Sequence, residues 1–195
     1  GGSQCSFSSG LLTSVTRDTK NLPCFIGDSI TAGTGAPENA GWVDSVVISL
    51  GVILRSTDVF KYGVGGERTD QVNARLPALL SAGWKNIFYS AGTNDAAQSV
   101  PLSTFALNIT QAINLCKAAG ARIFVCTPIP FGSSWDAAIR SLVEVYRAWI
   151  LGHVENLGGI PIDTYTYLVD QSTGCLASAY DSDGEHPTMQ GHNEI

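Results

Sequence analysis

Apolar residues in this chain fall into short continuous runs separated by longer stretches with a different spacing. The runs cover residues 22–26, 59–62, 86–91, 122–127 and 160–165, and most end at a glycine or proline: Gly27, Gly63, Gly92 and Pro128. Between them, residues 44–54 read as a helix. Residues 69–80 carry Val72, Leu76, Leu79 and Leu80, and residues 102–119 carry Leu102, Phe105, Ile109, Ile113 and Cys116. Residues 137–157 carry Leu142, Val145, Trp149 and Val154. These i, i+3/i+4 stripes predict amphipathic helices. The apolar runs do not alternate with polar residues, as expected of parallel strands covered on both faces. Five strand–helix units predict an α/β fold, a flavodoxin-like three-layer α/β/α sandwich around a five-stranded parallel sheet. Ligands bind such sheets outside the carboxyl ends of the strands. The loops after Ile26, Tyr62, Ala91 and the fifth strand are therefore the places to look for chemistry.

Composition narrows the class. The 195 residues fit one domain, with 1–20 read as an N-terminal tail or linker and 21–195 as a single domain. A last helix begins near Ile195 and is read as truncated. A hydrophobic share of 44% excludes a disordered chain. No run approaches the roughly 18 apolar residues of a membrane span. With 17 acidic against 11 basic residues, a nucleic-acid partner is not expected. Five cysteines show no C-x-x-C spacing and no neighbouring histidine, so no zinc site is expected. Cys24 and Cys126 read as core residues, while Cys5 and Cys175 lie in polar segments and would pair in an oxidising compartment. The compartment stays open, with an extracellular or periplasmic setting weighed ahead of the cytoplasm, and so does the oligomeric state. Asn108-Ile109-Thr110 is a glycosylation triplet of a kind that chance often supplies.

Four strand-end segments carry chemistry. Gly27-Asp28-Ser29-Ile30 places a serine where a strand turns toward a helix; a plain turn capped by Asp28 or Ser29 is the alternative. The flanks are not G-x-S-x-G. Gly63-Val64-Gly65-Gly66 has Arg68 where a phosphate cradle needs a further glycine, and its glycines instead allow close backbone approach. Gly92-Thr93-Asn94-Asp95 offers a side-chain amide, or else an Asx-turn. Asp183-Gly184-Glu185-His186-Pro187 sets a carboxylate three residues before a histidine. His153 reads as a surface residue and His192 as part of the last helix. A hydroxyl, a base with an orienting carboxylate and two candidate anion donors together make the parts list of acyl transfer.

These four segments, in this order, resemble the blocks of the SGNH/GDSL hydrolase family (esterases and lipases) across residues 27–187. The resemblance implies that Ser29 is the nucleophile, His186 the general base and Asp183 its orienting carboxylate. It implies an oxyanion hole from the Ser29 and Gly66 backbone N–H groups and the Asn94 amide, with Gly63 the less favoured glycine. No metal and no organic cofactor is implied. Lys61-Tyr62 replaces the family's usual asparagine before the glycine loop, and Asp181 sits at the wrong offset to be the triad carboxylate.

The ester is less legible. Trp42, Trp84, Trp135, Tyr165, Tyr167 and Tyr180 include rings able to stack on a sugar. Trp135 is the chosen cleft-lip candidate, and Arg68 would meet an acidic substrate. The expectation is a serine esterase for short-chain acyl esters, with O-acetyl groups on a glycan or another small-molecule ester as substrate. Lysophospholipase, thioesterase and O-acyltransferase activities are the alternatives within the family. A non-catalytic glycan-binding module is the alternative of another class.

Overall fold

The computed structural model describes residues 19–49 and 60–195. Five parallel strands, β1 (Pro23–Gly27), β2 (Lys61–Gly63), β3 (Asn86–Ser90), β4 (Arg122–Cys126) and β5 (Ile160–Ile162), form one sheet in the order β2-β1-β3-β4-β5. This is the flavodoxin-like order. The chain leaves β1 toward β2 on one side and returns to β3 on the other, so a crevice opens at the carboxyl ends of β1 and β3.

Register sorts the side chains between the two faces. Phe25, Phe88 and Phe124 are in-register neighbours and stack in a row, with centroids 4.9 and 4.4 Å apart. Trp42, at the start of α2 (Trp42–Ser49), meets Phe25 edge-on at 5.2 Å. Helix α7 (Met189–Glu194) packs beside α2 on this face. The alternate residues Cys24, Ile26, Ile87, Tyr89, Ile123 and Val125 are wholly or almost wholly buried on the other face. There the layer consists of α3 (Thr69–Ser81), α5 (Leu102–Ala118) and α6 (Ala137–Leu157), packed in that order. Two short helices, α1 (Ser29–Ala32) and α4 (Thr93–Ala97), occupy the strand ends. A small hairpin, β6 (Val169–Asp170) and β7 (Cys175–Leu176), follows β5.

Several expectations need correction. In α6 the buried row is Val143, Tyr146, Ile150 and Val154, while Val145 is 43% exposed and Leu142 and Trp149 are only half-buried. The helix has apolar residues at consecutive positions, so spacing alone offers two rows. The stack of Tyr146 on Phe105, 3.9 Å between centroids, selects the second. Strand β5 stops at Ile162 because Asp163 begins a turn, accepting hydrogen bonds from Tyr165 N–H, Thr166 N–H and Arg147. The helix expected over 44–54, the strand expected from Val59 and the N-terminal tail lie partly outside the described residues, and Cys5 lies wholly outside them. Cys175 is buried, and its Sγ accepts a hydrogen bond from Arg140 at 2.9 Å. Asn108 is buried and donates to Thr69 Oγ1, so its amide is not open to a glycosylating enzyme. No helix among the described residues is long and apolar enough to cross a membrane.

Candidate active site

Ser29 begins a single helical turn directly after β1. Asp28 caps that turn, its Oδ1 accepting from Ile30 N–H at 3.0 Å. Asp28 thus fulfils the capping reading of this segment, and Ser29 is the first residue of the turn it caps. Ser29 is 7% exposed. Gly27 is needed here, since a Cβ would collide with the Ser90 carbonyl oxygen on β3 and with Thr31 Oγ1.

His186 reaches Ser29 from the far end of the chain. Its Nε2 lies 2.9 Å from Ser29 Oγ, and its Nδ1 lies 2.8 Å from Asp183 Oδ2. An ionised carboxylate only accepts, so the proton sits on Nδ1 and Nε2 is left as the acceptor for the serine hydroxyl. Asp183 Oδ1 accepts from the backbone N–H groups of Glu185 at 3.0 Å and His186 at 2.8 Å. Partial burial would raise this carboxyl, but the His186 and Glu185 hydrogen bonds outweigh it and hold the pKa below the ordinary value. Asp181 instead accepts from Gly184 N–H at 2.5 Å and pairs with Pro187 as an isolated bridge, shaping the loop from outside the relay.

The glycine loop after β2 comes up against the serine: a Cβ on Gly65 would lie 3.8 Å from Ser29 Cβ. Gly66 has φ +79°, and around it is open space. Among the described residues, the N–H groups of Ser29 and Gly66 have no protein acceptor. Asn94 lies in the first turn of α4, and its Nδ2 donates to Glu67 O at 3.0 Å. One hydrogen of that amide is therefore spent on holding the glycine loop and the other is free. The Asx-turn alternative is not what this side chain does. Gly63 packs instead against Ala32 and the Asp28 carbonyl, with no room for a Cβ.

Two supporting residues, Arg75 and Asp95, were given no role from sequence, and Asp28 was read only as a cap. Arg75 donates to Gly27 O at 3.1 Å, to Tyr62 O at 3.0 Å and to Glu67 at 2.6 Å, tying the ends of β1 and β2 to the glycine loop. Asp95 is fully buried and accepts from Thr69 N–H at 2.8 Å and Thr69 Oγ1 at 2.5 Å, joining the Asn94 turn to the start of α3. Burial raises its pKa despite those bonds. Asp28 is also buried, with one oxygen lacking a partner, and burial pushes its carboxyl up to about 7. The signal for Arg75 and Asp95 was a charged residue next to a buried stripe or an apolar strand end, too common to stand out.

The two substrate-contact candidates fare differently. Arg68 has turned to Asp70 at 3.1 Å and Gln98 at 2.7 Å, so its guanidinium is already occupied. Trp135 is half-buried, 4.5 Å from the Phe131 ring, and its indole lies 3.5 Å from where a Cβ on Gly184 would stand. It therefore backs the loop that carries His186. Trp42, Trp84 and Tyr165 are buried, which leaves Trp135, Tyr167 and Tyr180 as accessible rings. His153 is exposed and stacks on Trp149, as a surface residue would. His192 is 1% exposed within α7.

Comparison with known proteins bears on the fold and the family. An arylesterase of Vibrio mimicus is 27% identical over 99 residues, a stretch that spans 50% of this chain and 50% of that protein. Among solved structures, a member of the lipolytic G-D-S-L family from Veillonella parvula superposes with a TM-score of 0.73 at 21% identity, covering 88% of this chain and 91% of the other. An acetylxylan esterase from Geobacillus stearothermophilus gives a TM-score of 0.72 at 19% identity, covering 88% and 89%. At these identities the structures establish the fold. The family profile extends from residue 25 to 193, through all four strand-end segments. With that match, the chain belongs to the GDSL-like lipase/acylhydrolase family.

Proposed function

We propose that this chain is a serine esterase that hydrolyses short-chain acyl esters through an acyl-enzyme, with O-acetyl groups on a carbohydrate as the substrate. The observation that carries the reading is the relay of 2.9 Å from Ser29 to His186 and 2.8 Å from His186 to Asp183. Ser29 Oγ attacks the ester carbonyl while His186 Nε2 takes its proton. Asp183 keeps the imidazole in the tautomer that can accept and stabilises the imidazolium that forms. The carbonyl oxygen, now an alkoxide, is received by the Ser29 and Gly66 N–H groups and the free Asn94 N–H. His186 then gives its proton to the departing alcohol. Water repeats the sequence on the acyl-serine and releases the acid.

A carbohydrate acetate is favoured by the half-buried Trp135 beside the histidine loop, a ring able to stack on a sugar. The existence of an acetylxylan esterase on the same fold also supports this choice. The test is acetate release from a panel of acetylated glycans, run beside p-nitrophenyl esters of two to twelve carbons. Acetylated glycans and two-carbon esters should be cleaved far faster than the twelve-carbon ester. Preference for the twelve-carbon ester would contradict the substrate class.

A further inference from the structure

Glu185 stands between Asp183 and His186 yet takes no part in the relay. Its backbone N–H donates to Asp183, but its carboxylate is half-buried and, among the described residues, has no hydrogen-bond donor and no cation. Its chain neighbour His186 has Nε2 2.9 Å from Ser29 Oγ, which sets Glu185 beside the serine site, and its charge helps to raise the carboxyl of Asp28 at the base of the Ser29 turn. The two arginines after the glycine loop are engaged elsewhere. Arg68 is held by Asp70 and Gln98, and Arg75 by Glu67 and two strand-end carbonyls.

We propose that Glu185 is a specificity-determining residue that makes this cleft a charge filter: it admits neutral and cationic esters and repels anionic ones, phosphate-bearing thioesters included. The proposal rests on the esterase reading of Ser29. A half-desolvated carboxylate repels an incoming anion more strongly than a fully solvated one would. The same oxygens accept hydrogen bonds from the hydroxyl groups of a neutral sugar, so the filter costs such a substrate nothing.

The test compares kcat/KM for neutral p-nitrophenyl acetate, cationic acetylthiocholine and anionic mono-p-nitrophenyl succinate. The proteins are the unaltered chain, Glu185→Gln, Glu185→Lys and Glu155→Gln. Glu155 is exposed near the end of α6, so its variant makes the same change in net charge outside the site. Glu185→Gln should raise the anionic-to-neutral ratio by about five- to tenfold and lower the cationic-to-neutral ratio by a similar factor. Glu185→Lys should exceed both changes, and Glu155→Gln should leave both ratios where they were. Equal ratios in the two glutamine variants would overturn the filter alone. Loss of all turnover in both Glu185 variants would also overturn it, because a filter alters ratios. Absence of turnover on every ester by the unaltered protein would overturn the esterase reading and the filter together.

Discussion

Asp28 meets two opposed demands. One oxygen caps the turn that presents Ser29, and the other is buried without a partner. Burial raises its pKa from an ordinary 3.8 to about 7. The folded protein therefore holds this proton after the unfolded chain has released it. Stability falls as pH rises between those two values, and the whole cost is borne above the upper one. Asparagine keeps the cap and removes the charge. Asp28→Asn should thus gain stability relative to the unaltered protein on going from pH 4 to pH 8, by up to about 4 kcal/mol in urea unfolding. An equal gap between the two proteins at both pH values would show that the carboxyl is not buried as described. At Asn94, alanine removes a donor and the tie to Glu67 O. Asn94→Ala should lower kcat/KM on short esters by about 10²–10³, with only about 1 kcal/mol lost in stability. Steady-state kinetics and a melting curve read the two effects separately.

Between elements, the active end of the sheet is held by a few side chains acting over long stretches of sequence. His192 joins α7 to two other parts of the fold: Nδ1 accepts from Trp42 N–H at 3.4 Å, and Nε2–H donates to Thr34 O at 2.9 Å. Only a neutral ring can do both. Burial lowers its pKa accordingly. The unfolded chain then binds a proton that the folded one refuses, so stability falls as pH drops below an ordinary histidine value of about 6.5. His192→Ala should cost about 2 kcal/mol at pH 8 and less at pH 5, where the unaltered protein has already lost part of that contribution. Denaturant titrations at the two pH values check the sign. Gly27 holds β1 against β3 in a different way. Gly27→Ala forces a methyl group into the Ser90 carbonyl and should cost about 1–3 kcal/mol, with activity lost as the Ser29 turn shifts.

Across the whole molecule, the strands and long helices were legible because each leaves a local trace. Continuous apolar runs mark doubly covered strands, and a period near 3.6 marks helices such as α3, α5 and α6. Three of the four chemical segments were legible because each lies at the end of such a run; the fourth, residues 183–187, lies beyond the β6–β7 hairpin and was legible from its carboxylate-to-histidine spacing alone. What escaped was set by tertiary partners. The row buried in α6 depended on Phe105, and Arg75 reaches Gly27 across 48 residues. The end of β5 depended on Arg147 and the turn at Asp163. Short elements such as α1, α4 and the β6–β7 hairpin have too few residues to show a period. The buried thiols of Cys24, Cys116 and Cys126, each pushed up to about 12 by burial, belong to this core. A thiol reagent should leave them unmodified in the native protein and reach them only on unfolding, as mass spectrometry of digested samples would show.

The central claim is that Ser29, activated by His186, is the residue that becomes acylated. A fluorophosphonate probe followed by peptide mass mapping tests it most directly. One adduct on Ser29 is expected, absent from Ser29→Ala and formed far more slowly in His186→Ala. No adduct on the folded, unaltered protein, or an adduct on another residue that survives Ser29→Ala, would contradict it.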